Sequence, residues 1–299
     1  MQYTSYTELP MKKFGIFFVE IYLICGKIKL YFLSFESSVD DMQKKPCLAL
    51  YNILKWFVRR LYGKITIVGL DNLPKNNAFL VGNHTQIHGP IICELFLPEN
   101  CYTWCAGQMM KLKEVPAYAY EDFWSQKPKW THPFYKLLSY LIAPLAVYIL
   151  NNARTIAVYR DMRSLSTFRT TVNKLKDGAD IVILPECGEK HNNILYKFQE
   201  NFVDVANLYY KRTKIEAEFV PMYIAPKLKM MYIGKPIRFC HDRPMEEERK
   251  RICEYLMNAI TEMAQDLPLH TVIPYRNIPK KYYLTNKDVD EVPDEKTCR

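Results

Sequence analysis

The sequence predicts an α/β fold in which a central mixed sheet is flanked by helices. Short apolar runs alternate along the chain with longer segments of three- and four-residue apolar periodicity, which is typical of strands alternating with helices. Of the 299 residues, 49% are hydrophobic, which supplies enough apolar material for one substantial core and excludes a mostly disordered chain. No internal repeat or low-complexity linker divides the chain, so one main domain is the economical interpretation.

The elements follow from apolar spacing and from turn signals. Residues 46–62 repeat apolar side chains at helical steps, and Pro90 suits the first turn of a helix. Pro144 is expected to kink the strongly apolar stretch 134–150. The remaining predicted elements are strands over 64–69, 78–82, 102–107, 155–159, 180–184, 218–224 and 229–233, and helices over 90–96, 162–176, 198–211 and 244–265, with an irregular aromatic stretch over 108–131.

Residues 1–45 are predicted to form an N-terminal amphipathic, membrane-interacting helical segment. Two lysines precede an apolar run over 14–26, which one glutamate interrupts, and the apolar pattern resumes at 30–33. A membrane span needs roughly 20 apolar residues, so this shorter run favours a helix lying in the interface or a re-entrant hairpin. An ordinary core helix is the alternative. The main domain is expected over 46–279, and 280–299 is expected to be a polar, frayed tail.

Charge and cysteine content narrow the class of protein. Lys plus Arg number 41 and Asp plus Glu 32, a net charge of +9 that favours phosphate-bearing partners. No nucleic-acid-binding motif accompanies this charge, so anionic lipid is the preferred partner and nucleic acid is not expected. The nine cysteines form no CxxC pair, which predicts free thiols in a reducing compartment and no metal site.

Polar residues follow three of the predicted strands. Asn83 and His84 follow the strand over 78–82, Arg160 follows the strand over 155–159, and the turn over 185–190 follows the strand over 180–184. A histidine at a strand end suits a general base, an arginine suits a phosphate or carboxylate, and a glycine-containing turn presents backbone N–H groups to an anion. Each feature taken singly also has a purely structural explanation.

In this order the residues resemble the motifs of the glycerolipid acyltransferases, the lysophosphatidate acyltransferase family. The first family motif is Asn-His, four residues, then Asp-Pro; the third is usually Phe-Pro-Glu-Gly-Thr-Arg. The order and spacing agree from about residue 46 to 240, roughly two-thirds of the chain. The matching segments are 82–90 (GNHTQIHGP), 156–161 (IAVYRD), 178–188 (GADIVILPECG), 197–198 (KF) and 219–223 (FVPMY).

The resemblance implies that 46–279 is an acyltransferase domain on the cytoplasmic face of a membrane. Such a domain moves a fatty acyl group from acyl-CoA or acyl carrier protein, as co-substrate, to the hydroxyl of a lysophospholipid-type acceptor. It implies His84 as the general base with Glu186 as a second catalytic residue, and no metal or other cofactor. The substrate-binding residues that it implies are Asn83, Arg160, Gly188, Lys190 and Lys197.

Two departures from the family pattern bear on activity. Gly89 stands where the family has the Asp that orients the histidine. Either a carboxylate from elsewhere takes that role, with Glu94 the nearest candidate, or His88 takes it through a hydrogen bond, or the chain is a slow or inactive lipid-binding relative. Restoring Asp at position 89 is expected to raise activity if the histidine is merely impaired. Cys187 to Glu189 replace Gly-Thr-Arg, which favours an acceptor other than lysophosphatidate, one with an amine or without phosphate.

Overall fold

The computed structural model describes residues 48–75, 77–125, 127–159 and 161–288. The chain divides into two units at Pro46, and the described residues all belong to the second, Cys47–Arg299. The predicted membrane-interacting segment 1–45 and the predicted ligand Arg160 therefore lie outside the described residues, as does the chain from residue 289.

The second unit contains seven α-helices and ten strands within its described residues. The helices are α1 Leu48–Tyr62, α2 His88–Phe96, α3 Val115–Ala119, α4 His132–Asn152, α5 Ser164–Lys176, α6 Asp204–Thr213 and α7 Met245–Asp266. The strands are β1 Thr66–Val68, β2 Ala78–Gly82, β3 Cys101–Ala106, β4 Thr155–Val158, β5 Asp180–Ile183, β6 Glu186–Lys190, β7 Tyr196–Phe198, β8 Glu218–Ala225, β9 Met230–Ile233 and β10 Ile237–Arg238.

Eight strands form one mixed sheet, which confirms the predicted fold class. Its order is β1-β9-β8-β2-β5-β3-β4, with β10 also paired to β8. Strands β2, β3, β4, β5 and β8 run parallel, whereas β9 and β10 run antiparallel to β8. The carboxyl ends of the parallel strands therefore meet at one edge of the sheet, where ligands gather in open α/β folds.

Helices cover both faces of this sheet. On one face, Phe79, Ile181 and Phe219 pack against residues of α5, α6 and α7. On the other, Leu80 and Val182 pack with α2. Because both faces are buried, β2, β5 and β8 are apolar at successive positions rather than at alternate ones, apart from Asp180 and Glu218 at the starts of β5 and β8. This is why these strands were recognisable in the sequence.

Three segments differ from the sequence-based expectation. The turn after β5 is a small antiparallel hairpin, β6–β7, because Glu186 pairs with Phe198 and Lys190 with Tyr196. The stretch 108–131, expected to be irregular, contains α3 and short 3-10 and π turns. The predicted helix over 198–211 begins at Asp204, after a 3-10 turn over Glu200–Val203.

The expectation of a frayed tail from residue 280 is wrong for residues 280–288. Thr271 pairs with Thr285 in an antiparallel bridge, and Leu284 accepts a hydrogen bond from the Val272 N–H at 2.8 Å. The Asn286 side chain is fully buried, so the chain is fixed at this point despite its polar composition. We call residues 268–288 the C-terminal strap, since this segment returns from α7 to the carboxyl edge of the sheet.

Candidate active site

Asn83 joins the end of β2 to the end of β8. Its amide oxygen accepts the Ile224 N–H at 2.7 Å, and its amide nitrogen donates to the Ile224 carbonyl at 3.0 Å. The residue is buried, and both ends of its amide are used by the neighbouring strand. In this geometry Asn83 has a structural role, because it sets the position from which His84 projects; the substrate-binding role expected for it stays a prediction.

Glu186 connects the first and third sequence motifs. One carboxylate oxygen accepts the His84 backbone N–H at 2.6 Å, and the other accepts the Tyr196 N–H at 2.8 Å. Burial raises the pKa of Glu186 to about 7, although these two backbone hydrogen bonds act to lower it. The carboxyl group thus holds the His84 backbone rather than the imidazole, which makes Glu186 a positioning residue in this geometry.

Replacing Glu186 with Gln is expected to remove a component of the pH dependence of stability. The pKa of the Glu186 carboxyl group is raised from 4.5 to about 7 in the folded protein. The group therefore stabilises the fold at pH values below 4.5, and this contribution is lost as the pH rises through about 7. Relative to the Gln variant, wild type should lose on the order of 3 kcal/mol of unfolding free energy between about pH 4.5 and about pH 8. Urea unfolding of both proteins at the two pH values measures this difference, and parallel pH profiles would contradict it.

The His84 imidazole lies against Tyr275 of the strap. The ring centroids are 5.5 Å apart at 74°, an edge contact. Burial lowers the pKa of His84, opposed by backbone groups of Gln86 and of His84 itself. Nδ1 is buried and has no hydrogen-bond partner among the described residues. Burial therefore favours the neutral imidazole, the form a general base requires, but Nδ1 is not held by a carboxylate.

The backbone after His84 is strained and closely packed. Thr85 and Gln86 have φ values of 46° and 53°, in the left-handed region that a β-branched residue such as threonine rarely adopts. At Gly89, a Cβ atom would lie 2.2 Å from the His84 carbonyl oxygen. Position 89 thus requires glycine, and the expectation that Asp here would raise activity conflicts with this geometry.

Neither of the proposed substitutes for the missing Asp reaches His84. The Glu94 carboxylate accepts hydrogen bonds from Tyr51 at 2.7 Å and from Lys55 at 2.5 Å. Burial opposes ionisation of Glu94, but these partners and the charge of Arg154 hold its pKa below the usual range. His88 Nδ1 lies 2.8 Å from the Tyr62 hydroxyl. Both side chains tie α2 to its neighbours, which corrects the expectation that either one orients the imidazole.

The β6–β7 hairpin carries the other predicted ligands. Gly188 has φ +54°, and its carbonyl accepts a hydrogen bond from Arg276 at 2.7 Å. Lys197 is exposed and pairs with Glu189 at 2.7 Å, so its charge is already partly balanced. Lys190 lies at the far end of the same hairpin. The structure thus brings Glu186, Gly188 and His84 into one region, with the two lysines on the hairpin that starts at Glu186.

The strap contains residues that sequence reasoning missed. Gln86 donates from its amide nitrogen to the Arg276 carbonyl at 3.1 Å and to the Tyr283 hydroxyl at 2.9 Å. Tyr275 contacts both His84 and Tyr196. The only available signal was the tyrosine content of an otherwise polar segment, and that signal does not indicate where the segment lies.

Comparison with known proteins adds a distant structural likeness. No protein family matches the chain, and no curated protein matches its sequence. Among solved structures, the chain is similar to the crystal structure of the 1-acyl-sn-glycerophosphate (LPA) acyltransferase PlsC from Thermotoga maritima. The TM-score is 0.45 at 14% sequence identity, over 73% of this chain and 81% of that chain. A similarity this low assigns neither a family nor an activity.

Proposed function

We propose that this chain is an acyltransferase that moves a fatty acyl group from a thioester donor to the hydroxyl of a lysophospholipid-type acceptor. The donor would be acyl-CoA or acyl carrier protein. The observation that carries the proposal is the 2.6 Å hydrogen bond from the His84 N–H to Glu186. It joins two motifs that lie about a hundred residues apart in the sequence, at the edge of the sheet where α/β enzymes bind ligands.

The chemistry requires one base and no covalent enzyme intermediate. The neutral His84 imidazole takes the proton of the acceptor hydroxyl as that oxygen attacks the thioester carbonyl carbon. The tetrahedral intermediate then collapses, the C–S bond breaks, and the thiolate leaves and receives the proton from the imidazolium. Glu186 keeps the His84 backbone in place throughout. Lys190, Lys197 and Arg160 would supply cations for a phosphate on donor or acceptor.

The test is acceptor-dependent release of free thiol from acyl-CoA by the purified full chain. His84→Gln is expected to lower the rate by about 10²–10⁴-fold, which is the usual contribution of a general base. His241→Gln is the matched control, because His241 pairs with Glu216 and stacks on Tyr210, away from the carboxyl edge. Equal acceptor-dependent rates for wild type and His84→Gln would refute the proposed role of His84.

A second candidate function is a catalytically impaired lipid-binding relative. Two observations favour it: Nδ1 of His84 has no hydrogen-bond partner among the described residues, and position 89 has no room for the Asp side chain that would orient the imidazole. In that case neither wild type nor His84→Gln releases thiol, whereas both bind vesicles containing lysophospholipid. The same pair of proteins therefore separates the two candidates.

The acceptor is proposed to differ from lysophosphatidate. The hairpin carries Glu189 where the family pattern has Arg, and this carboxylate pairs with Lys197. An anion here disfavours a phosphate monoester and suits an acceptor with an amine or without phosphate. Rates on a panel of lyso-acceptors test this idea, and a clear preference for lysophosphatidate would overturn it.

An exposed apolar surface supports association with a membrane. Among the described residues, one helix, Lys129–Asn152, has the length and composition needed to cross a bilayer. Its outward residues are large and apolar, and α1, which packs beside α4, has a similar outward surface. We call this surface the apolar helix face; it comprises Phe134, Leu137, Tyr140, Leu141 and Leu145 of α4 with Leu50, Ile53, Trp56, Phe57 and Leu61 of α1.

We propose that this face lies in the interface of an anionic leaflet rather than across the bilayer. The opposite side of α4 packs on α3, because Ala143 is buried with Val115 and Ala119. Basic side chains border the face, including Arg59 and Arg60 in the last turn of α1. An amphipathic surface with a basic rim is typical of in-plane binding to the cytoplasmic leaflet.

Replacing both Leu137 and Leu141 with Glu is expected to lower binding to anionic vesicles at least about tenfold, because each leucine loses its burial in lipid and each glutamate adds repulsion. Vesicle co-sedimentation measures the effect. Ile215→Glu is the control, since Ile215 is an equally exposed apolar residue after α6. Unchanged sedimentation of the double variant would exclude the apolar helix face as the membrane contact.

A further inference from the structure

We propose that the C-terminal strap is a positioning element of the active site, which holds the His84 imidazole through Gln86 and Tyr275. The expected effect of the strap on the rate of catalysis rests on the proposed acyl transfer. Its expected effect on the position of the His84 ring does not depend on that function. The hydrogen bond between Gln86 and Tyr283 joins distant parts of the chain, since 197 positions separate the two residues.

The first line of argument is the strained turn next to His84. Two consecutive non-glycine residues in the left-handed region persist only where the surrounding structure holds them. Part of that support comes from the strap, since the Gln86 side-chain amide donates to the Arg276 carbonyl and the Tyr283 hydroxyl. Without these two bonds, the turn is free to relax toward ordinary backbone angles, and His84 would move with it.

The second line is that the strap contacts both halves of the site. Tyr275 places its ring against His84 and, at 5.6 Å, against Tyr196, whose N–H binds Glu186. The Arg276 guanidinium binds the Gly188 carbonyl at 2.7 Å. The strap therefore links the loop that carries the imidazole to the hairpin that begins at Glu186.

The third line is that the strap is fixed to the core at its two ends. Asn286 accepts the His270 N–H at 2.9 Å and donates to the Ala264 carbonyl at 2.8 Å. The Tyr223 hydroxyl lies 2.8 Å from His270 Nε2, while His270 Nδ1 lies 2.8 Å from the Pro268 carbonyl. A carbonyl oxygen only accepts, so Nδ1 donates to Pro268, and Nε2 shares the second hydrogen bond with the Tyr223 hydroxyl. A segment held in this way can impose geometry on the loop that it contacts.

The first test is an NMR titration of the His84 imidazole in the full chain, which requires no activity. In wild type the pKa should lie below the ordinary value of about 6.5, since the ring is buried. Tyr275→Ala should raise the pKa of His84, because the ring becomes more exposed. Tyr282→Ala, which changes a more exposed tyrosine of the same strap, should leave the pKa of His84 unchanged. Two charged residues that contact this part of the site, Glu186 on β6 and Arg276 on the strap, remain in these variants. Identical titrations of wild type and Tyr275→Ala would overturn the proposal.

The second test concerns catalysis. Gln86→Leu should lower kcat by up to about 10²-fold with a smaller change in KM and a melting temperature close to that of wild type, because misplacing the base by about an ångström slows the chemical step. If Gln86→Leu does not fold, Tyr283→Phe removes one of the two bonds and should give a smaller loss of kcat. Wild-type kcat in both variants would overturn the positioning role. Absence of acyl transfer by wild type would refute the proposed function and leave the titration as the test of the strap.

Discussion

Gly89→Asp is expected to destabilise the protein and to reduce activity, which is the opposite of a repair of the family motif. A Cβ at this position lies 2.2 Å from the His84 carbonyl oxygen and 2.9 Å from its carbonyl carbon. Since both contacts are with backbone, either α2 or the His84 loop must move. We expect a loss of about 3 kcal/mol or more, comparable to the severe end of overpacking, and at least about 10²-fold lower activity because the proposed base, His84, is displaced.

Thermal unfolding and the thiol-release assay measure the two effects of Gly89→Asp. For a chain of this size, the stability loss corresponds to roughly 6–12 °C in melting temperature. Gly178→Asn is the control, because nothing lies within 4 Å of a Cβ at Gly178 and asparagine tolerates its left-handed φ of +85°. A Gly89→Asp protein that is as stable as the control and more active than wild type would show that the loop in solution differs from this structure.

Asn286→Leu is expected to release the C-terminal strap. The side chain is fully buried, and its amide nitrogen lies 2.8, 3.1 and 3.3 Å from the carbonyls of Ala264, Leu267 and Pro268, while its oxygen accepts the His270 N–H. Leucine fills similar volume but leaves the Leu267 carbonyl and the His270 N–H without the partner that Asn286 supplies, at about 1–3 kcal/mol for each unsatisfied group. The Pro268 and Ala264 carbonyls keep the His270 Nδ1 and the Leu267 N–H as donors. We expect a total loss of about 3–5 kcal/mol.

The measurement for Asn286→Leu is urea unfolding together with limited proteolysis of the strap. The matched control is Asn277→Leu in the same segment, where the side chain is exposed and makes a single 3.4 Å hydrogen bond to the Asp122 carbonyl. Cleavage within 268–288 should accelerate in Asn286→Leu and remain at the wild-type rate in the control. Equal unfolding free energies for the two variants would mean that the polar contacts of Asn286 do not hold the strap.

The sequence predicted correctly those elements whose signal lies in adjacent residues. Strands β2, β5 and β8 are buried on both faces, so each is a short apolar run that is recognisable without its neighbours. The placement of His84 and of the Pro-Glu turn after such strands predicted their common edge of the sheet, because parallel strands end on the same side. The 2.6 Å bond between these two segments agrees with that prediction.

The roles of individual side chains could not be predicted in the same way. Asn83, Glu94 and His88 all carry chemistry that suits a ligand or an orienting group, and each is occupied by a structural partner. Those partners lie 26 to 141 positions away in the sequence. No residue pattern near a donor identifies an acceptor so distant, so only the folded chain shows whether a polar group is free for substrate.

By itself, the sequence determined the α/β class, the order of the main elements and the histidine to examine, since apolar periodicity and strand-end motifs depend on neighbouring residues. Tertiary structure alone decided that Gly89 admits no side chain, that Glu186 holds the His84 backbone and that residues 268–288 form the strap against the imidazole. The physical reason is that close packing and the pairing of buried polar groups are settled between segments distant in the chain, after the local elements have formed.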